Sequence, residues 1–285
     1  NARMAIAAEA LARGLHVLCE QPLALDEETA ARLAGGAARS AGWRAVSQNR
    51  RFQPGVRQLR DLVAGAALGR PQTLSVTLHM VPAEAGFRQR MRHVMLRDMA
   101  IHAFDAARAI LGTDAASVSC LARSPKGATF AHGPEVHALF EMTDDSLFTF
   151  DGNWADLGPP TSWNGTWRLT FERGAARWDG EGPAQAWAPD PGGDGGLFLA
   201  ARPHPLPPPP AERSDILGSL ESLVTAIRTG TPPETRVRDN ARSLAMVFAA
   251  MASADADGRR EAVRDLAHAG DATDRPLRRA PTGGT

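Results

Sequence analysis

At 285 residues, 43% hydrophobic and 22% charged, the chain can bury one sizeable core or two modest ones, which excludes a wholly disordered polymer. Lysine plus arginine and aspartate plus glutamate stand at 32 each, so no net field points to nucleic acid or an anionic membrane, and a small molecule is the expected ligand. The two cysteines, Cys19 and Cys120, lie far apart and outside any Cys-x-x-Cys pairing; neither a disulfide framework nor a zinc ribbon results, and a reducing cytoplasm fits.

No apolar run approaches the roughly 18 residues of a spanning helix, and the opening Asn1-Ala-Arg-Met reads as the middle of something longer. Met4 to Arg13 carries apolar residues at helical spacing, Gly14 suits its C-cap, and Leu15 to Cys19 reads as a buried strand. Asp26 is placed to cap a helix running to about Ala41, and Trp43 to Asn49 reads as a second strand. This order with short joints predicts a parallel, doubly wound sheet, because parallel neighbours need a crossover helix.

From Pro54 the pattern changes. A helix with Val56, Leu59, Leu62 and Val63 on one face ends near Gly65, and Leu74, Val76, Leu78 and Met80 then alternate with polar residues, the mark of a half-buried strand. Similar signals at Val136 to Met142, Leu147 to Asn153 and Trp167 to Glu172 predict a mostly antiparallel sheet, with a helix from Asp98 to Leu111 closed by Gly112. Ser214 to Thr229 and Asp239 to Ser253 show capping residues and apolar stripes, so helices are expected against one face. Residues 191 to 213 are expected as a Gly- and Pro-rich loop, and the tail beyond Gly258 as frayed.

One constellation stands out on geometry. At about 100° per residue, Asp98, His102 and Asp105 fall within about 60° of one another on their helix. A carboxylate beside an imidazole can hold its tautomer and raise its pKa, which sets up a general base. The same residues also read as a cap with two solvated neighbours, or as ligands of a divalent ion that lacks a second His/Asp cluster nearby. Trp154, Trp163 and Trp167 read as core or subunit interface more readily than as sugar-stacking platforms.

Gly14-Leu-His-Val-Leu-Cys-Glu20-Gln21-Pro22 resembles the G-x-H-V-x-x-E-K-P segment of the Gfo/Idh/MocA oxidoreductases, with Gln21 where the family has lysine. Asn49-Arg50-Arg51-Phe52-Gln-Pro54 resembles that family's R-F-x-P segment, and Gly65-Ala-Ala-Leu-Gly69 its G-x-(I/L)-G turn. Asp98-Met-Ala-Ile-His102-Ala-Phe-Asp105 matches the D-x-G-x-H-x-x-D helix, with Ala100 where glycine is usual. Further on, Thr161 to Arg168 with Trp178-Asp-Gly180 looks like a sugar-dehydrogenase-like subgroup, and Asp239 to Ser253 like the family's last helix, so the likeness runs from residue 1 to about 258.

The resemblance implies α/β plus α+β architecture. A partial Rossmann-type domain (1–49) leads into a larger mixed, mostly antiparallel sheet domain with helices on one face (50–258), then a flexible tail (259–285). It implies hydride transfer between NAD or NADP and a hydroxyl-bearing carbon of a sugar, polyol or related compound, in a cytoplasmic homo-oligomer, dimer or tetramer. By the same likeness His102, Asp98 and Gln21 are catalytic, Asp105, Asn49 and Arg50 bind substrate, Glu20, Gln21 and Pro22 meet the cofactor, and no residue is assigned to a metal. No G-x-G-x-x-G occurs, and the family's pyrophosphate-binding turn is expected upstream, in roughly 60 to 80 further residues. Two other readings stay open: a non-catalytic sensor, favoured by the lost lysine, and a metal-dependent hydrolase built on Asp98, His102 and Asp105.

Overall fold

The computed structural model describes residues 2–37, 42–83, 86–192, 197–209 and 214–269. Helix α1 (Ala2–Ala12), strand β1 (Val17–Glu20), helix α2 (Glu27–Ala37) and strand β2 (Arg44–Ser47) form the expected β-α-β unit. β1 and β2 pair in parallel from Val17 opposite Arg44 to Glu20 opposite Ser47. Asp26 caps α2 as expected, its carboxylate accepting the Thr29 amide hydrogen at 2.8 Å. Ala30 and Ala34 are fully buried, and these small side chains let α2 seat closely against the long helix near the end of the chain.

A 3₁₀ turn (Asn49–Phe52) leads into α3 (Pro54–Ala64), β3 (Pro71–His79), a π-helical turn (Met95–Ala100) and α4 (Ile101–Leu111). The remaining elements are β4 (Ala115–Arg123), β5 (Glu135–Met142), β6 (Leu147–Asn153), β7 (Thr166–Phe171), β8 (Gly174–Trp178), β9 (Gln185–Pro189), β10 (Ala201–His204), α5 (Asp215–Thr229), α6 (Val237–Asp255), β11 (Glu261–Ala262) and α7 (Leu266–Ala269). They build a nine-stranded sheet in the order β10-β9-β8-β7-β3-β6-β5-β4-β11, in which β3 and β6 are parallel and the other neighbours antiparallel. The mixed, mostly antiparallel character is as predicted.

Alternation along the strands turns one face toward α3, α4 and α6. At its centre Phe104 of α4 meets Phe140, Phe148 and Phe150 edge-on, with ring centroids 4.8, 5.8 and 5.5 Å away. Burying such a ring contributes roughly 1.5–3 kcal/mol, and each edge-to-face pair about 0.5–1.5 kcal/mol more. α4 is thereby fixed on the sheet, with its first turn directed at the carboxyl ends of β1 and β2.

The structure departs from expectation in three places. Within the expected loop 191–213, Ala201–His204 forms β10 against β9, while 193–196 and 210–213 lie outside the described residues. The first part of the tail expected as frayed is ordered: Glu261–Ala262 pairs with β4 and α7 packs on α2, because Leu266 and Ala267 supply an apolar anchor; residues 270–285 lie outside the described residues. The helix expected from Asp98 starts at Met95 with a π turn, so Asp98 is not its N-cap. No helix among the described residues is long and apolar enough to cross a membrane.

Candidate active site

Parallel β1 and β2 finish side by side, and the next residue of each is a glutamine. Gln21 Nε2 lies 3.4 Å from His102 Nε2, and Gln48 Nε2 lies 3.1 Å from His102 Nδ1. One imidazole is thus held between the ends of two strands. Gln48 is fully buried, and its Oε1 accepts a hydrogen bond from Asn240 Nδ2 of α6 at 3.3 Å. Burial of the ring, with the charge of Arg50 second, pushes the His102 imidazolium down to about 3. Some of His102 still touches solvent, and water there softens the effect without reversing it: the ring is neutral at neutral pH.

The expected stripe of Asp98, His102 and Asp105 comes apart. The π turn adds a residue to its loop of helix, so the spacing of about 100° per residue fails between Asp98 and His102. Asp98 instead accepts Arg88 Nε at 2.7 Å, and among the described residues no hydrogen bond or ion pair joins it to His102. Asp105, expected at the substrate, is 0% exposed. Arg51 grips it through Nε at 2.7 Å and a terminal nitrogen at 2.6 Å, and Ser243 Oγ donates to it at 2.7 Å. Both oxygens are committed, so Asp105 is a structural anchor. Arg51 also binds Asp239 at 2.7 Å; burial works against its charge, and Asp105 and Asp239 together outweigh burial and raise its pKa. The carboxylates needed for a metal centre are therefore pulled apart, and the described residues hold no group of three or more His, Cys, Asp or Glu able to take a metal ion.

Asn49 and Arg50 follow Gln48 on the 3₁₀ turn, and Arg50 lies near enough to His102 for its charge to be felt there. Asn49 Nδ2 donates to the carboxylate of Asp215, which opens α5 in the left-handed region at φ 56°. Asn49 Oδ1 is buried with no hydrogen-bond partner among the described residues. Arg50 donates to the Trp163 carbonyl, lies 5.4 Å from the centroid of the Trp163 ring and reaches Met99 Sδ at 3.7 Å. Burial pushes Arg50 down to about 10, with Asp215 opposing, so it stays charged at neutral pH. That charge is the one felt at His102, whereas the charge of Arg97 is felt at His93.

Glu20 and Pro22 flank Gln21 at the carboxyl end of β1, Glu20 exposed and Pro22 partly so, and the Gln21–Pro22 peptide is cis. Trp154 and Trp167 are core, each 1% exposed, as expected; Trp163 is 59% exposed and belongs to the rim of the site. Sequence reasoning missed Gln48, Asn240, Asp215 and Met99. No signal in the sequence marked them: Gln48 stood inside the strand expected from Trp43 to Asn49, with nothing to set it apart from its neighbours.

Residues 56–177 match the GFO/IDH/MocA C-terminal domain. The chain is 31% identical to the myo-inositol dehydrogenase Hyg17 of Streptomyces leeuwenhoekii over 193 residues, 65% of this chain and 56% of that protein. It is also 26% identical to an uncharacterised protein of Sinorhizobium fredii over 256 residues, 86% of this chain and 69% of that one. An oxidoreductase from Agrobacterium radiobacter, solved in complex with NAD+, L-tartaric acid and magnesium, shares the fold with a TM-score of 0.77 at 18% identity, covering 92% of this chain and 77% of that one. The domain match over the sheet and the shared fold agree: residues 56–177 match the GFO/IDH/MocA C-terminal domain, and the chain shares the fold of a solved oxidoreductase.

Proposed function

We propose that this protein transfers a hydride between NAD or NADP and a hydroxyl-bearing carbon of a sugar, polyol or related compound. The observation that carries this reading is the neutral imidazole of His102 held between Gln21 and Gln48 at the carboxyl ends of two parallel strands, which is where open α/β sheets place their ligands. The likeness to a myo-inositol dehydrogenase supports the substrate class.

The residues present fit a nicotinamide: Glu20, Gln21 and Pro22 follow one another at the carboxyl end of β1, and the Gln21 side chain carries an amide donor and acceptor there. When bound, the nicotinamide supplies the hydride acceptor. The protein's share is to hold the alcohol and to move its proton. His102, unprotonated at neutral pH, takes the hydroxyl proton at Nε2, the ring nitrogen on the Gln21 side. Arg50 keeps a positive charge beside His102, while Gln21, where the resemblance has lysine, can donate a hydrogen bond but carries no charge. Asn49 Oδ1, buried and unpartnered among the described residues, is the acceptor offered to a substrate hydroxyl, and the exposed face of Trp163 closes the rim.

In this reading residues 1–49 contribute to nucleotide binding, 50–258 to substrate binding and assembly, and Asp98 orients the π turn through Arg88. Free, buried Cys19 and Cys120 support a cytoplasmic location. Half-exposed Leu121 and Leu139, on the sheet face that carries no helix, support a homo-oligomer. The test is a screen of inositols, aldoses and sugar acids with NAD and with NADP, read as reduced nicotinamide. Turnover of at least one polyol or sugar is expected; no turnover of any, with either cofactor bound, would overturn the proposal.

A further inference from the structure

The two nitrogens of His102 face two amide nitrogens, Gln48 Nε2 at 3.1 Å on Nδ1 and Gln21 Nε2 at 3.4 Å on Nε2. A neutral imidazole has one N–H and one lone pair, so it can accept from only one of them. The other amide must be turned by half a revolution, presenting oxygen to the ring N–H. Two arrangements result. In the first, Gln21 turns: Gln48 donates to Nδ1, and the ring carries its proton on Nε2. In the second, Gln48 turns: its oxygen accepts from Nδ1–H, its nitrogen points to Asn240, and Gln21 donates to a bare Nε2. Counted in hydrogen bonds alone, the two arrangements tie.

Proton transfer separates them. If the substrate O–H bond breaks and an Nε2–H bond forms, the ring becomes an imidazolium with hydrogens on both nitrogens. Its Nδ1–H then needs an acceptor, and Gln48 is the side chain bonded to that atom. In the first arrangement the lone pair at Nε2 is absent before reaction, and Nδ1 faces donor hydrogens after it. In the second, the Nδ1 side stays as it is through the transfer, and only the Gln21 N–H has to yield Nε2 to the substrate hydroxyl. The Asn240 side chain also accommodates it: Asn240 is fully buried and its Oδ1 has no hydrogen-bond partner among the described residues, so a half-turn of its own amide gives the Gln48 hydrogens an acceptor.

We infer that Gln48, backed by Asn240, is a positioning residue that holds His102 as the tautomer protonated on Nδ1 and leaves Nε2 as the base. This rests on the reading of His102 as the group that takes the substrate proton, and it replaces the carboxylate usual behind such a histidine with a neutral amide. An amide fixes the tautomer without a full counter-charge on the imidazolium, in keeping with a ring that is a weak base at rest.

The experiment is nitrogen-15 spectroscopy of the imidazole rings in the protein at neutral pH, without cofactor or substrate, with the His102 signals assigned by their loss in His102→Asn. The expected spectrum shows a protonated Nδ1 and an unprotonated Nε2. Gln48→Met, similar in length but with no amide, should release the preference so that the Nε2–H form appears; Gln48→Glu should keep Nδ1 protonated. A protonated Nε2 in the unaltered protein, alone or together with Nδ1, overturns the inference, and so does an unchanged tautomer in Gln48→Met. If Gln48→Met does not fold, the spectrum of the unaltered protein decides by itself. Because no turnover is read, a protein with the expected tautomer but no dehydrogenase activity would sink the proposed function and leave this assignment standing.

Discussion

Replacing Asp105 with alanine separates anchoring from substrate binding. Asp105 is 0% exposed, and it takes two charge-assisted bonds from Arg51 and one from the Ser243 hydroxyl. Its removal leaves Arg51, 7% exposed at its side chain, with Asp239 and the Glu234 carbonyl as partners. Breaking a buried pair on one side typically costs about 3–5 kcal/mol, because the surviving charge stays out of water without its counter-ion. For a protein of this size each kcal/mol lowers Tm by about 2–4 °C, so the expected drop is about 6–20 °C in a thermal melt. The catalytic constants of the fraction still folded should change little by comparison. A melt within about 2 °C of the unaltered protein, joined to a several-fold rise in substrate KM, would refute the reasoning and put Asp105 at the substrate.

Gln21→Lys should raise turnover on a matched sugar or polyol at least about tenfold without tightening cofactor binding, because an ammonium group supports the developing alkoxide where an amide cannot; an equal or slower variant would mean that Arg50 already serves and that Gln21 is an adaptation. Stability should decline on the acid side: the unfolded chain binds a proton on His102 below about pH 6.5, and the folded protein resists it until about 3. In that window the unfolded state holds more protons, so stability falls as pH drops, and His102→Asn should flatten this part of a denaturation series. Asp239, desolvated by burial yet held below the usual carboxylate range by Arg51 and Arg108, adds a further loss of the same sign below about pH 4.

Much of the fold was legible because its strands alternate strongly. β3, β5, β6 and β7 place apolar residues, mostly Leu, Val, Phe or Trp, at alternate positions, and that pattern survives without tertiary information. β4 escaped notice because its buried positions are Ala115, Ser117, Val118 and Cys120, mostly small and weakly apolar. β8, β9 and β10 are only 5, 5 and 4 residues long, and the glycines and prolines around them read as loop. The family motifs pointed to Gln21, Asn49, Arg50 and His102, of which Gln21 lies 3.4 Å from the His102 ring and Arg50 is the charge felt there. The stripe from Asp98 to Asp105 failed for a local reason, the π turn, which no periodicity announces. Gln48 was invisible for a topological one: it meets His102 across 54 residues of chain, and only the pairing of β1 with β2 sets it opposite Gln21.

The most direct measurement is the steady-state rate of His102→Asn beside the unaltered protein, on the best substrate found and with both melts recorded. Asparagine keeps hydrogen-bonding capacity at this position but cannot accept the proton, so turnover should fall by about 10²- to 10⁴-fold with a much smaller change in cofactor affinity. An unchanged rate in a variant that still folds would contradict the central claim, and would make the imidazole held between Gln21 and Gln48 a packing feature of the strand ends.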